Sequence, residues 1–128
     1  MNLLLDTHVL LWAAGEPSKL SKAARAMIDD EGNQLLFSVA SLWEVSVKRG
    51  LGRKDFNADP MLLRRGLLDH GYDELVITSS HVIATESLPA IHKDPFDRLL
   101  IAQAIEEGVL LLTTDSLLSR YPGPIRRV

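Results

Sequence analysis

The 128-residue sequence contains no cysteine, which excludes disulfide scaffolds, thiolate zinc sites and cysteine nucleophiles. Aromatic residues make up only 5% and are not interleaved with basic ones, so a base-stacking platform is not expected. No apolar run approaches the ~20 residues of a membrane span. The N-terminal Met1-Asn2-Leu3-Leu4-Leu5 meets Asp6 with no basic lead and does not read as a signal peptide. A soluble, cytoplasmic chain with no membrane partner is therefore expected. Basic charge is not in excess either: 14 Lys and Arg face 17 Asp and Glu, a net charge of −3. Taken alone, that balance disfavours a nucleic-acid partner. What is present is a 46% hydrophobic share with mixed charges, at a length that suits one domain over residues 1–128 with a real core.

Along the chain, short apolar runs alternate with helical patterns. Leu3-Leu4-Leu5, Leu35-Leu36-Phe37, Glu74 to Thr78 and Val109 to Thr113 have the length and composition of strands, and Ile125 to Val128 is a candidate fifth. Helices are expected from His8 to Ala14, after Ser18 or Ser21, and after Ser38 or Ser41 through Val47. Others are expected from Pro60 to Leu68, after Ser79 or Ser80, and from Asp94-Pro95 to Gly108. Such alternation predicts an α/β fold, a mostly parallel sheet of about five strands flanked by helices on both faces.

In open parallel sheets ligands bind outside the carboxyl ends of the strands, and here acids stand at those ends. Asp6 follows the first strand directly and Asp115 follows the fourth. Each also suits a helix N-cap. Asp97 lies one turn into the helix that Asp94 caps, where it would favour the helix dipole. Ser41-Leu42-Trp43-Glu44 matches a capping box, with Glu44 reaching back to the Ser41 amide. Singly these acids have ordinary structural explanations. Together Asp6, Glu44, Asp97 and Asp115 fall on one rim of the expected sheet, a donor set that suits a hard cation such as Mg²⁺ or Mn²⁺. One or two such ions would activate water against a phosphodiester.

The order of strand–Asp6-Thr7, Ser38…Glu44, Asp94-Pro95-Phe96-Asp97-Arg98-Leu99-Leu100-Ile101-Ala102-Gln103-Ala104 and Leu112-Thr113-Thr114-Asp115 resembles the PIN-domain family. Within it, the sequence looks like the VapC-type ribonuclease toxins of toxin–antitoxin pairs, over nearly its whole length. The resemblance implies an Mg²⁺- or Mn²⁺-dependent endoribonuclease, a cognate antitoxin partner and a homodimer. It carries the four family acids onto Asp6, Glu44, Asp97 and Asp115 as catalytic, metal-holding residues, with Thr7 and Thr114 as supporting hydroxyls. Asp94 resembles an additional acid of a subgroup with an Asp-Pro-Phe-Asp segment, and supports the site if it does more than cap its helix.

Lys48, Arg49, Arg53 and Lys54 follow the Glu44 helix and would line an RNA path, with Arg98 beside Asp97 as a further candidate. No histidine pair has helical ligand spacing; His92, two residues before Asp94, is a surface or supporting residue, or a phosphate contact when protonated. Trp12, Trp43 and Leu51 suit core packing or an apolar groove for an antitoxin helix. A phosphatase of the same α/β class would need an acid at the position of His8, and a receiver domain one where Thr78-Ser79-Ser80 stands. A non-catalytic PIN-fold binding module remains the alternative to a nuclease. If the four acids form one site, the remaining chain carries 14 basic against 13 acidic side chains, so the net charge is no argument against RNA.

Overall fold

The computed structural model describes residues 1–128. Five strands, β1 (Asn2–Leu5), β2 (Gln34–Ser38), β3 (Asp73–Leu75), β4 (Leu110–Thr113) and β5 (Ile125–Arg127), form one sheet in the order β3-β2-β1-β4-β5. All four pairings are parallel. Six helices accompany them: α1 (Thr7–Gly15), α2 (Lys22–Asp29), α3 (Val39–Gly50), α4 (Pro60–Asp69), α5 (Ser79–Ala84) and α6 (Pro95–Glu107). No helix is long and apolar enough to cross a membrane.

The period of two along the strands divides the core into two layers. Leu3, Leu5 and Leu112 pack with Val9 and Leu10 of α1, Val45 of α3, and Leu63 and Leu67 of α4. Leu4 and Leu111 face the other way, onto Leu99, Leu100, Ile101 and Ala104 of α6. The same alternation carries past the strand ends and decides which polar side chains meet α6. Ser38, two residues after Leu36, donates to Gln103 Oε1 of α6 (2.5 Å) and accepts the Ala40 amide (3.0 Å) as N-cap of α3.

The helix α6 is specified by its ends. Asp94 Oδ1 accepts the amides of Phe96 (2.8 Å) and Asp97 (3.1 Å), Pro95 opens the first turn, and Gly108 closes the helix at φ +65°. Two stretches differ from the sequence pattern. β3 ends at Leu75 rather than running to Thr78, because it is an edge strand whose sole partner, β2, gives way to α3 after Ser38. Val76 is accordingly exposed. The helix after it is capped by Thr78 rather than Ser79 or Ser80, in a capping box where His81 Nδ1 takes the reciprocal amide bond.

Replacing Ser38 removes a cap and leaves Gln103 Oε1 without its buried partner. Ser38→Ala is expected to lower stability by about 2 kcal/mol, read as a drop in the urea midpoint at unchanged m-value.

Candidate acidic site at the carboxyl ends of the strands

The strand order reverses between β1 and β4, and the first of these strands delivers Asp6 to the crevice at their carboxyl ends. Asp6 is 5% exposed. Its Oδ1 caps α1 by accepting the Val9 amide (2.9 Å), and its Oδ2 accepts the Thr113 hydroxyl (2.5 Å). Burial raises its pKa, Thr113 and the Val9 amide oppose the rise, and the nearby Glu44 adds to it. Thr113 Oγ1 also accepts the Asp115 amide (3.0 Å), so one hydroxyl fixes the first and last acids of the rim. That hydroxyl was expected at Thr114, which makes no side-chain bond to the acids. The alternation explains the difference: Thr113 shares the α6-facing side of β4 with Leu111.

Glu44 is not a capping-box residue. Of the two expected caps, Ser38 is the one used, one turn before Ser41, so Ser41 is buried and accepts the Thr7 hydroxyl (3.0 Å). Glu44 therefore falls in the second turn, 3% exposed, with Oε2 on the Lys48 ammonium and Oε1 without any hydrogen-bond partner. The Lys48 ammonium also lies 3.5 Å from Asp94 Oδ2, and 4.7 and 5.8 Å from the ring centroids of Phe56 and Phe96. Burial pulls its pKa down, but Glu44 and Asp94 more than reverse this, so the ammonium keeps its proton.

Asp97, like Asp6, is held above the ordinary carboxylate range. Burial, followed by the charges of Asp94, Glu44, Asp6 and Asp115, pushes its pKa up to about 8. Asp97 Oδ2 and Asp115 Oδ2 each lie 3.3 Å from His92 Nε2, and the three side chains offer ligand atoms within 4.8 Å of one another. His92 Nδ1 accepts the Asp94 amide (3.1 Å), so the neutral ring carries its proton on Nε2 and donates it to Asp115 Oδ2, with Asp97 Oδ2 alongside. With Nδ1 so engaged, His92 acts as a donor, which leaves the carboxylate oxygens as the atoms that would hold a cation.

Buried acids that repel one another, and a buried carboxylate oxygen with no donor, fit a divalent cation. With no thiolate in the donor set, a hard ion such as Mg²⁺ or Mn²⁺ is the match. Of the basic residues expected along an RNA path, Arg49 pairs with Asp59 (3.7 Å) and Arg53 with Asp55 (3.5 Å), both on the exposed side, while Lys54 is exposed. Lys48 turns into the acidic cluster instead. Arg98 is committed elsewhere, donating to the carbonyls of Thr85 and Pro89 (2.8 Å each) and to the Tyr121 hydroxyl (3.2 Å). It braces the segment that carries His92.

An α/β/α sheet with a carboxylate cluster at its switch point defines a class that the sequence matches directly. The family model described as "PIN domain" matches residues 3–124, and the chain belongs to that family. It is similar to Ribonuclease VapC22 of Mycobacterium tuberculosis (strain ATCC 25618 / H37Rv), with 32% identity over 126 residues covering 96% of this chain and 95% of that protein. Among solved structures, a VapBC2 complex from Rickettsia felis bound to a promoter DNA fragment superposes with a TM-score of 0.72 at 14% identity, over 100% of this chain and 99% of that one. VapBC-1 from nontypeable Haemophilus influenzae gives 0.62 at 14% identity, over 99% and 98%. Both share the fold.

The Asp97 pKa sets a pH dependence for the metal-free protein. Between its ordinary value of 3.8 and about 8, folded Asp97 holds a proton that the unfolded chain has lost. Stability from this group therefore falls as pH rises through that window. In chelator, the thermal midpoint is expected to be lower at pH 8 than at pH 5. Asp97→Asn should flatten that slope and raise the pH 8 midpoint by about 4 °C, the shift that ~1 kcal/mol produces at this chain length.

Proposed function

We propose that residues 1–128 form a single PIN-like nuclease domain, a VapC-type toxin that cleaves RNA endonucleolytically with Mg²⁺ or Mn²⁺. The observation that carries this is the buried Glu44 Oε1, which has no donor, set among Asp6, Asp97 and Asp115. The likeness to a ribonuclease over nearly the full length of both chains supports it.

In this reading Asp6, Glu44, Asp97 and Asp115 hold the cation. A divalent ion bound there supplies Lewis-acid polarisation of the scissile phosphate and lowers the pKa of attacking water. The chain's own groups orient and protect the site. Thr113 and the Val9 amide fix the Asp6 carboxylate, and the Thr7–Ser41 bond ties the start of α1 to α3. Asp94 sets the first turn of α6, which carries Asp97. Asp115, with its side chain 37% exposed, stands at the open rim where substrate arrives. Arg49, Arg53 and Lys54 offer positive charge to an RNA backbone beside that rim. The chain works in the cytoplasm, as a homodimer, restrained by an antitoxin.

For the antitoxin the fold offers an apolar groove of about 500 Å³ between α1, α2 and α4, lined by Leu11, Ile28, Leu62, Leu63 and Leu67. Trp12, Trp43 and Leu51 do not line it. Trp43 and Leu51 stand exposed on α3 instead, with Trp43 edge-on to Phe96 at a centroid distance of 4.7 Å.

Cleavage of a total-RNA pool, with mapped ends, tests the assignment. Wild type should cut in Mg²⁺ or Mn²⁺ and not in chelator, and Asp6→Asn should lose activity by on the order of 100-fold or more. An Asp6→Asn protein that cuts at the wild-type rate would place the chemistry elsewhere. A wild type that cuts nothing would leave a PIN-fold binding module.

A further inference from the structure

Lys48 is held in a way that an ordinary surface i,i+4 pair is not. Its side chain is 16% exposed, its ammonium contacts Glu44 Oε2 and Asp94 Oδ2, and Phe56 and Phe96 close on it from the sides. Burying a Glu–Lys pair costs desolvation that an exposed pair avoids, so the arrangement gives the helix little that a surface pair would not. What it does achieve is to fix one positive charge inside a cluster of five carboxylates, Asp6, Glu44, Asp94, Asp97 and Asp115.

The remaining oxygens are few. Asp6 Oδ1 and Oδ2 take the Val9 amide and Thr113, Asp94 Oδ1 takes two α6 amides, and Asp115 Oδ1 takes the Leu117 amide. Asp115 Oδ2 takes the His92 Nε2–H, and Asp97 Oδ2 lies 3.3 Å from the same nitrogen. Glu44 Oε1 and the Asp97 oxygens accept no hydrogen bond. Two ions of this type, each seeking about six oxygens, would have to displace Lys48 from Glu44 and Asp94.

We propose that the Lys48 ammonium is a built-in cation that stands in for a second metal ion on the Glu44–Asp94 side, so that the site takes one divalent ion, shared by Glu44 with Asp6, Asp97 and Asp115. This rests on the reading of the cluster as a metal site and specifies its stoichiometry. Removing the ammonium opens the Glu44–Asp94 side to a second ion, while keeping a cation there preserves the single-ion state.

Titration with Mn²⁺ alone, by calorimetry and electron paramagnetic resonance, distinguishes the possibilities. Wild type should bind one Mn²⁺ per chain with the six-line spectrum of an isolated ion. Lys48→Met should bind two with a spin-coupled spectrum, and Lys48→Arg should stay at one. Two ions in the wild type, or one ion at unchanged affinity in Lys48→Met, would overturn the assignment of Lys48 while leaving the metal site standing. No Mn²⁺ on any of the three proteins would overturn both. The wild-type stoichiometry decides the matter even if Lys48→Met does not fold.

Discussion

Five carboxylates meet where water has limited access, and the rest of the site is organised around their mutual repulsion. Asp6 and Asp94 each spend one oxygen on a helix N-terminus, where backbone amides and the helix dipole favour negative charge. Thr113 supplies a hydroxyl to Asp6, and His92 offers Nε2–H to Asp115 beside Asp97. Lys48 neutralises Glu44 from within the same helix. What these devices do not offset, Asp97 resolves by keeping its proton at neutral pH. These contacts offset part of the repulsion, and a cation bound at the cluster would offset more of it.

The topology explains why these groups converge. β1 lies at the centre of the sheet, with β2 on one side and β4 on the other, so its carboxyl end opens onto the switch point. The α6-facing side of the strands ends in Ser38 and Thr113 and, one residue past β1, in Asp6. The Ser38–Gln103 bond ties β2 to α6, and the Asp94 cap sets the turn that carries Asp97 toward Asp6. A shift of one residue in the β1–β4 register would turn Asp6 or Thr113 away from the site.

Much of this was legible in the sequence. The apolar runs located every strand, and the Asp94-Pro95…Gly108 punctuation located α6 within a residue, because local cap chemistry and burial on both faces point to the same answer there. Glu44 was misplaced locally because Ser41 satisfied a cap pattern that Ser38, one turn earlier and anchored to Gln103, satisfied in three dimensions. Thr113 is not singled out by the sequence, because adjacency along the chain does not reveal which side of β4 faces the acids. The inward turn of Lys48 and the bracing role of Arg98 depend on contacts with Asp94, Phe56, Thr85 and Pro89, which are distant in sequence or on separate elements. Nothing in a charge pattern separates such residues from a solvated basic face. The same holds for His92, whose donor role is set by the Asp94 amide.

A cation bound at this cluster is expected to displace the proton that Asp97 holds. Calorimetry of Mn²⁺ binding at pH 6.5, repeated in buffers of different ionisation enthalpy, measures that exchange directly. Proton release per bound ion that is greater by about one in the wild type than in Asp97→Asn is the expected result, given an Asp97 pKa of about 8. Tight Mn²⁺ binding with no proton released from the wild type would contradict it.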